Sequence, residues 1–110
     1  MRVALHSILR AGHEAAYDAA HAAIPDDLVA SFERVGIHDW QIWRSGRDLF
    51  HLVECDDFAA AMQALDDDPA NRRWQDSINR HVDHFVTTGE GPEGMVLPLV
   101  WTLTAQRAGA

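Results

Sequence analysis

Apolar and polar positions change period several times along the chain, and each change marks an element. From Val3 to Leu9 the period is two, with Val3, Leu5, Ser7 and Leu9 on one face and Ala4, His6 and Ile8 on the other, which predicts a strand covered at least partly on both faces. After Gly12 the period lengthens. His13, Tyr17, His21 and Ile24 fall on one helical stripe, and the small residues Ala16 and Ala20 leave room around the rings. This helix is expected to end near Ile24, because Pro25 disfavours helical geometry at the residue before it. Pro25 then opens a second helix, with Asp26 and Asp27 at its positive end, Leu28, Val29, Phe32 and Val35 on its apolar face, and Gly36 as its stop.

Ile37 to Arg44 and Leu49 to Cys55 read as strands joined through Ser45-Gly46-Arg47-Asp48, a hairpin signal. In the first of these strands Trp40 and Ile42 share one face and Trp43 lies on the other, so one tryptophan is free to meet a ligand. Asp56 and Asp57 precede a helix carrying Phe58, Met62 and Leu65. Asp68-Pro69 opens another, on which Trp74, Ile78, Val82 and Phe85 share a stripe, and Met95 to Thr104 reads as a last strand. The order strand, helix, strand, strand, helix, strand predicts an α+β fold, the ferredoxin-like βαββαβ sandwich, as one domain over residues 1–104 with a flexible tail at 105–110. Helices cover one face of such a sheet. The apolar residues on the other face predict a second copy there, two sheets meeting as a dimeric α+β barrel.

Composition narrows the function. The 110 residues carry 9 basic and 17 acidic side chains, a net charge of −8 without a basic cluster, which disfavours nucleic acid and anionic membranes as partners. Cys55 is the single cysteine and lies among apolar neighbours, so it reads as a buried, inert thiol. No apolar run approaches membrane-spanning length, and a cytoplasmic protein is expected.

The chemistry concentrates on the first helix. Two imidazoles and a phenol directed at a core need partners, and three on one stripe favour a pocket over a set of satisfied core residues. His81 and His84 are three apart, but no third ligand stands at a telling spacing, so they read as surface or helix-end residues and no metal is expected. Neither a glycine-rich nucleotide loop nor a nucleophile elbow occurs, and no cofactor is expected.

Four pieces in order carry a resemblance: Tyr17-x-x-x-His21-x-x-Ile24 leading into Pro25-Asp26-Asp27-Leu28; Gly36-Ile37-His38-Asp39-Trp40-Gln41-Ile42-Trp43; Leu49-Phe50 with Glu54 and Asp56; and Asn71-Arg72-Arg73-Trp74-Gln75. Together they resemble the L-rhamnose mutarotases from Val3 to about Phe85, and more weakly through the last strand. The chain departs from that pattern at Ile24, where an aromatic usually precedes the proline, at Trp40, where tyrosine is commoner, and at Leu99, where an acidic residue is expected. The resemblance implies the same dimeric ferredoxin-like barrel and an enzyme that interconverts sugar anomers. It also implies that His21 is the proton donor and that Tyr17, Trp40, Trp74 and Gln75 contact the sugar. Histidine suits the task, because its ordinary pKa lets it give and take a proton near neutrality. The fold alone also admits a dimeric α+β barrel monooxygenase or a haem- or small-molecule-binding protein, which a Soret band on the purified protein would reveal.

Overall fold

A computed structural model describes residues 1–109 of the chain. Its elements run β1 (Arg2–Leu9), α1 (Glu14–Ala20), α2 (Asp26–Arg34), β2 (Ile37–Ser45), β3 (Asp48–Cys55), α3 (Phe58–Asp66), α4 (Pro69–Ile78), β4 (Val82–Phe85), α5 (Gly91–Met95) and α6 (Leu103–Gly109). The strands form one antiparallel sheet in the order β2-β3-β1-β4, the ferredoxin-like arrangement, with both helical crossovers split into two helices.

Alternation decides which side of the sheet is core. Val3, Leu5, Ser7 and Leu9 of β1 and Leu49, His51, Val53 and Cys55 of β3 are buried, whereas the residues between them are at least partly exposed. The inner face supports two apolar clusters. One gathers Leu5, Ile37, Val53, Phe58 and Leu65; the other gathers Leu9, Tyr17, Leu49 and Ile78. Side-chain caps start α3 and α4: Asp57 accepts from the Ala60 amide and Asp68 from the Asn71 amide, each satisfying a donor that the first helical turn leaves open.

Two expectations need correction. The first helix does not reach Ile24; it ends at Ala20 with His21 as its C-cap. Both the His21 amide and its ring Nδ1 donate to the Tyr17 carbonyl, so the end of the helix is satisfied there, and Pro25 is already extended. Because helical geometry begins only at Glu14, His13 lies outside the stripe, where its Nδ1 is 3.0 Å from His81 Nδ1, one ring donating and the other accepting.

The last strand is β4, not Met95 to Thr104. Val82 and Phe85 are three apart, a helical spacing, yet both belong to the strand because the register shifts between Ile8 and Leu9, pairing Val82 with Leu9 and Phe85 with Ser7. The expected strand keeps one sheet bond, from the Leu97 amide to the Ala4 carbonyl at 2.8 Å; Pro98 has no amide to continue it. Of the tail expected at 105–110, the residues through Gly109 lie in α6, and Ala110 lies outside the described residues.

Gly36 makes the α2–β2 turn at φ +81°, where a Cβ would come within 2.8 Å of the Asp56 carboxylate. Gly36→Ala should therefore cost about 1–2 kcal/mol, read as a lower urea midpoint at unchanged slope.

Candidate functional site

Between the inner face of the sheet and helices α1 to α5 lies a cleft of about 1080 Å³. Its apolar walls come from every layer, including Leu5, Leu28, Phe32, Ile42, Ile78 and Met95. Tyr17, His21, Trp40, Trp74 and Gln75, although far apart in sequence, all line it. A mostly apolar concavity with a few convergent polar groups is the usual form of a small-molecule site.

The end of α1 sets the reactive pair. His21 stands 4.2 Å from the Tyr17 ring, centroid to centroid, and makes an edge-to-face contact with Trp74 at 5.1 Å. Its Nδ1 is 3.3 Å from the Tyr17 carbonyl, which can only accept, so the proton sits on Nδ1 and the neutral ring keeps a basic Nε2. Half-burial lowers the His21 pKa, countered in part by that backbone bond and by Asp18. The Tyr17 hydroxyl goes the other way. Burial, aided by the negative charge of Asp18, pushes it up to about 12, so at neutral pH it is a donor. A bidentate contact from Arg44, with its Nε 2.9 Å and its second nitrogen 2.6 Å from the two Asp18 oxygens, ties α1 to β2.

Trp40 and Trp74 are half-buried, and Gln75 stands exposed at the rim. One face of the Trp40 indole stacks on Phe32 at 5.8 Å. Trp43, on the opposite face of β2, is 54% exposed and away from the cleft, the division expected from strand alternation.

Sequence reasoning missed His51. It lies on β3 at the floor of the cleft, 5% exposed, and Trp40 Nε1 donates to its Nδ1 at 3.1 Å while its Nε2 is 2.9 Å from Ser7 Oγ. A lone histidine in a strand gives no signal by itself. Only the register, which pairs His51 with Leu5 and with Ile42, makes Ser7 and Trp40 its diagonal neighbours. The segment Gly91-Pro92, which reads as loop in sequence, also closes one side of the cleft as the start of α5. Among the described residues no group of three or more His, Cys, Asp or Glu side chains could hold a metal ion, and no helix is long and apolar enough to cross a membrane.

The chain is similar in structure to an L-rhamnose mutarotase from Formosa agariphila, with a TM-score of 0.72 at 18% identity, over 94% of this chain and 98% of that one. It is also similar to the tetracenomycin F2 cyclase of Streptomyces glaucescens, a type II polyketide cyclase, with a TM-score of 0.66 at 15% identity, over 93% of this chain and 95% of that one. At such identities the likeness shows the shared fold and leaves activity to the site. No curated protein sequence matches the chain. The family model of the L-rhamnose mutarotases matches residues 2–103, nearly the whole sequence, and the chain therefore belongs to the L-rhamnose mutarotase family, isomerases that act on carbohydrates.

Proposed function

We propose that the protein interconverts the α and β anomers of L-rhamnose or a related pyranose in the cleft, with His21 carrying the proton and Tyr17 as its partner. The observation that carries this reading is the pairing of a basic Nε2 on His21 with a phenol that stays protonated, at one end of an apolar cleft.

The chemistry requires two proton movements and one rotation. Nε2 of neutral His21 takes the proton of the anomeric hydroxyl, the ring oxygen gains a proton from the Tyr17 hydroxyl, and the bond between that oxygen and the anomeric carbon breaks. The open-chain aldehyde turns about its bond to C2. The former ring hydroxyl then attacks the other face of the carbonyl, returning its proton to the Tyr17 oxygen as His21 protonates the carbonyl oxygen, so atoms and charges return to their starting balance. Trp40 and Trp74 offer flat faces to the C–H surface of the sugar, and Gln75 a paired donor and acceptor for its hydroxyls.

A pH profile tests this. Because burial lowers the His21 pKa below 6.5, the basic form prevails at neutrality and is lost only as pH falls through that lowered value. Enzymatic exchange, corrected for the spontaneous rate, should therefore fall on the acid side with a midpoint below 6.5, and should hold on the alkaline side until Tyr17 ionises at about 12. A midpoint above 6.5 would contradict the assignment.

The same reading includes a homodimer. The outer face of the sheet carries Trp43 at 54% and Phe50 at 41% exposure, flanked by Ile8 and Leu52, an apolar surface that a second copy would cover. Light scattering at micromolar concentration should give twice the chain mass; a stable monomer would remove this part of the proposal. A reducing, cytoplasmic setting suits the buried free thiol of Cys55.

A further inference from the structure

We propose that His51 is a positioning residue, one that fixes the Trp40 indole as a platform for the sugar and takes no proton itself. The inference rests on the cleft being the sugar site.

Donor and acceptor chemistry leaves one arrangement. An indole N–H can only donate, so the His51 Nδ1 that it reaches at 3.1 Å is unprotonated. The proton of the neutral ring is then on Nε2, which donates to Ser7 Oγ at 2.9 Å. Both nitrogens are committed, which removes His51 as an acid or base for the sugar. A protonated ring would point an N–H at the indole N–H and break the chain, and burial, with His21 and His6 nearby, lowers the His51 pKa to about 4.

Rigidity follows from where each ring sits. His51 stacks on Phe85 at 5.5 Å and is held at its far nitrogen by Ser7, which is 0% exposed. Trp40 is fixed at its edge by His51 and on one face by Phe32 at 5.8 Å. Ser7, His51 and Trp40 thus cross three adjacent strands, β1, β3 and β2, so the sheet itself sets the indole. A platform held before binding costs less order when the sugar arrives, so its loss should appear in KM more than in kcat.

The test is a cycle between His51 and Trp40, read as kcat and KM for anomer exchange. His51→Phe keeps the ring volume but offers no acceptor, and should raise KM about tenfold with kcat changed by less than about threefold. His51→Asn, whose side-chain oxygen can still accept from the indole, should recover most of that loss. With Trp40→Phe already in place there is no N–H to hold, and His51→Phe should add less than about twofold to KM. An unchanged KM in His51→Phe, or effects that simply multiply in the double variant, would overturn the proposal. Should His51→Phe fail to fold, nitrogen-15 NMR of the wild type decides at neutral pH. An unprotonated Nδ1, a protonated Nε2 and a slowly exchanging Trp40 indole proton support the proposal, and a fast-exchanging indole proton overturns it. A wild type without anomer exchange would overturn the sugar reading instead, while the NMR result would still judge the hydrogen-bonded chain.

Discussion

His21→Asn should slow enzymatic anomer exchange by about 10²–10⁴-fold, the usual worth of a placed proton-transfer group, while sugar affinity falls far less. Asparagine is near histidine in size and retains a donor for the Tyr17 carbonyl that now holds the ring at 3.3 Å, but it has no titrating nitrogen to replace Nε2. Tyr17→Phe should cost less in rate, because a water in the place of the lost hydroxyl can still protonate the ring oxygen, and should also weaken binding, while it keeps a ring that packs with Leu9, Leu49 and Ile78. His13 supplies the comparison. It sits before α1 against His81 and does not line the cleft, so His13→Asn should change stability more than rate. A folded His21→Asn protein with near wild-type exchange, together with an inactive His13→Asn, would reverse the assignment.

Leu49→Ala should be among the most damaging single truncations for the fold near the site, at about 2–5 kcal/mol. Leu49 is 0% exposed on β3 and lies in the cluster that holds Tyr17, so its loss opens a cavity beneath α1. Against a total stability of about 5–15 kcal/mol this is a large share, and the urea midpoint should drop accordingly. Saturating sugar should restore part of the loss, because it binds only the folded form. Val29→Ala, at a position 50% exposed, should stay within about 0.5 kcal/mol. A Leu49→Ala protein as stable as Val29→Ala would show that the Tyr17 cluster does not carry the fold.

Where local pattern and tertiary context agree, the sequence is readable. β1, β3 and the hairpin at Gly46 follow from alternation and turn chemistry, and the buried sets Val3, Leu5, Ser7, Leu9 and Leu49, His51, Val53, Cys55 repeat at period two. The helices behind Asp57 and Asp68 follow from their caps. β4 is unreadable because a register shift gives Val82 and Phe85 a helical spacing inside a strand. Met95 to Thr104 misleads in the opposite sense: its apolar run suggests pairing, yet Leu99 and Val100 are 80% and 96% exposed.

The site divides in the same way. Tyr17 and His21 are local partners four residues apart, so the helical stripe suffices to pair them. Trp40, Trp74 and Gln75 are lifted above core or surface residues only by the family pattern, and their convergence on one cleft is a property of the fold. His51 and Ser7 are 44 residues apart and meet through strand register, which no local pattern encodes.

The most direct measurement is saturation transfer between the two anomeric protons of L-rhamnose, with L-fucose and D-glucose for comparison, in the presence of substoichiometric protein at neutral pH. The account predicts transfer between the L-rhamnose anomers that rises in proportion to protein concentration and far exceeds the spontaneous rate. Binding of all three sugars with no acceleration of exchange in any of them would contradict it.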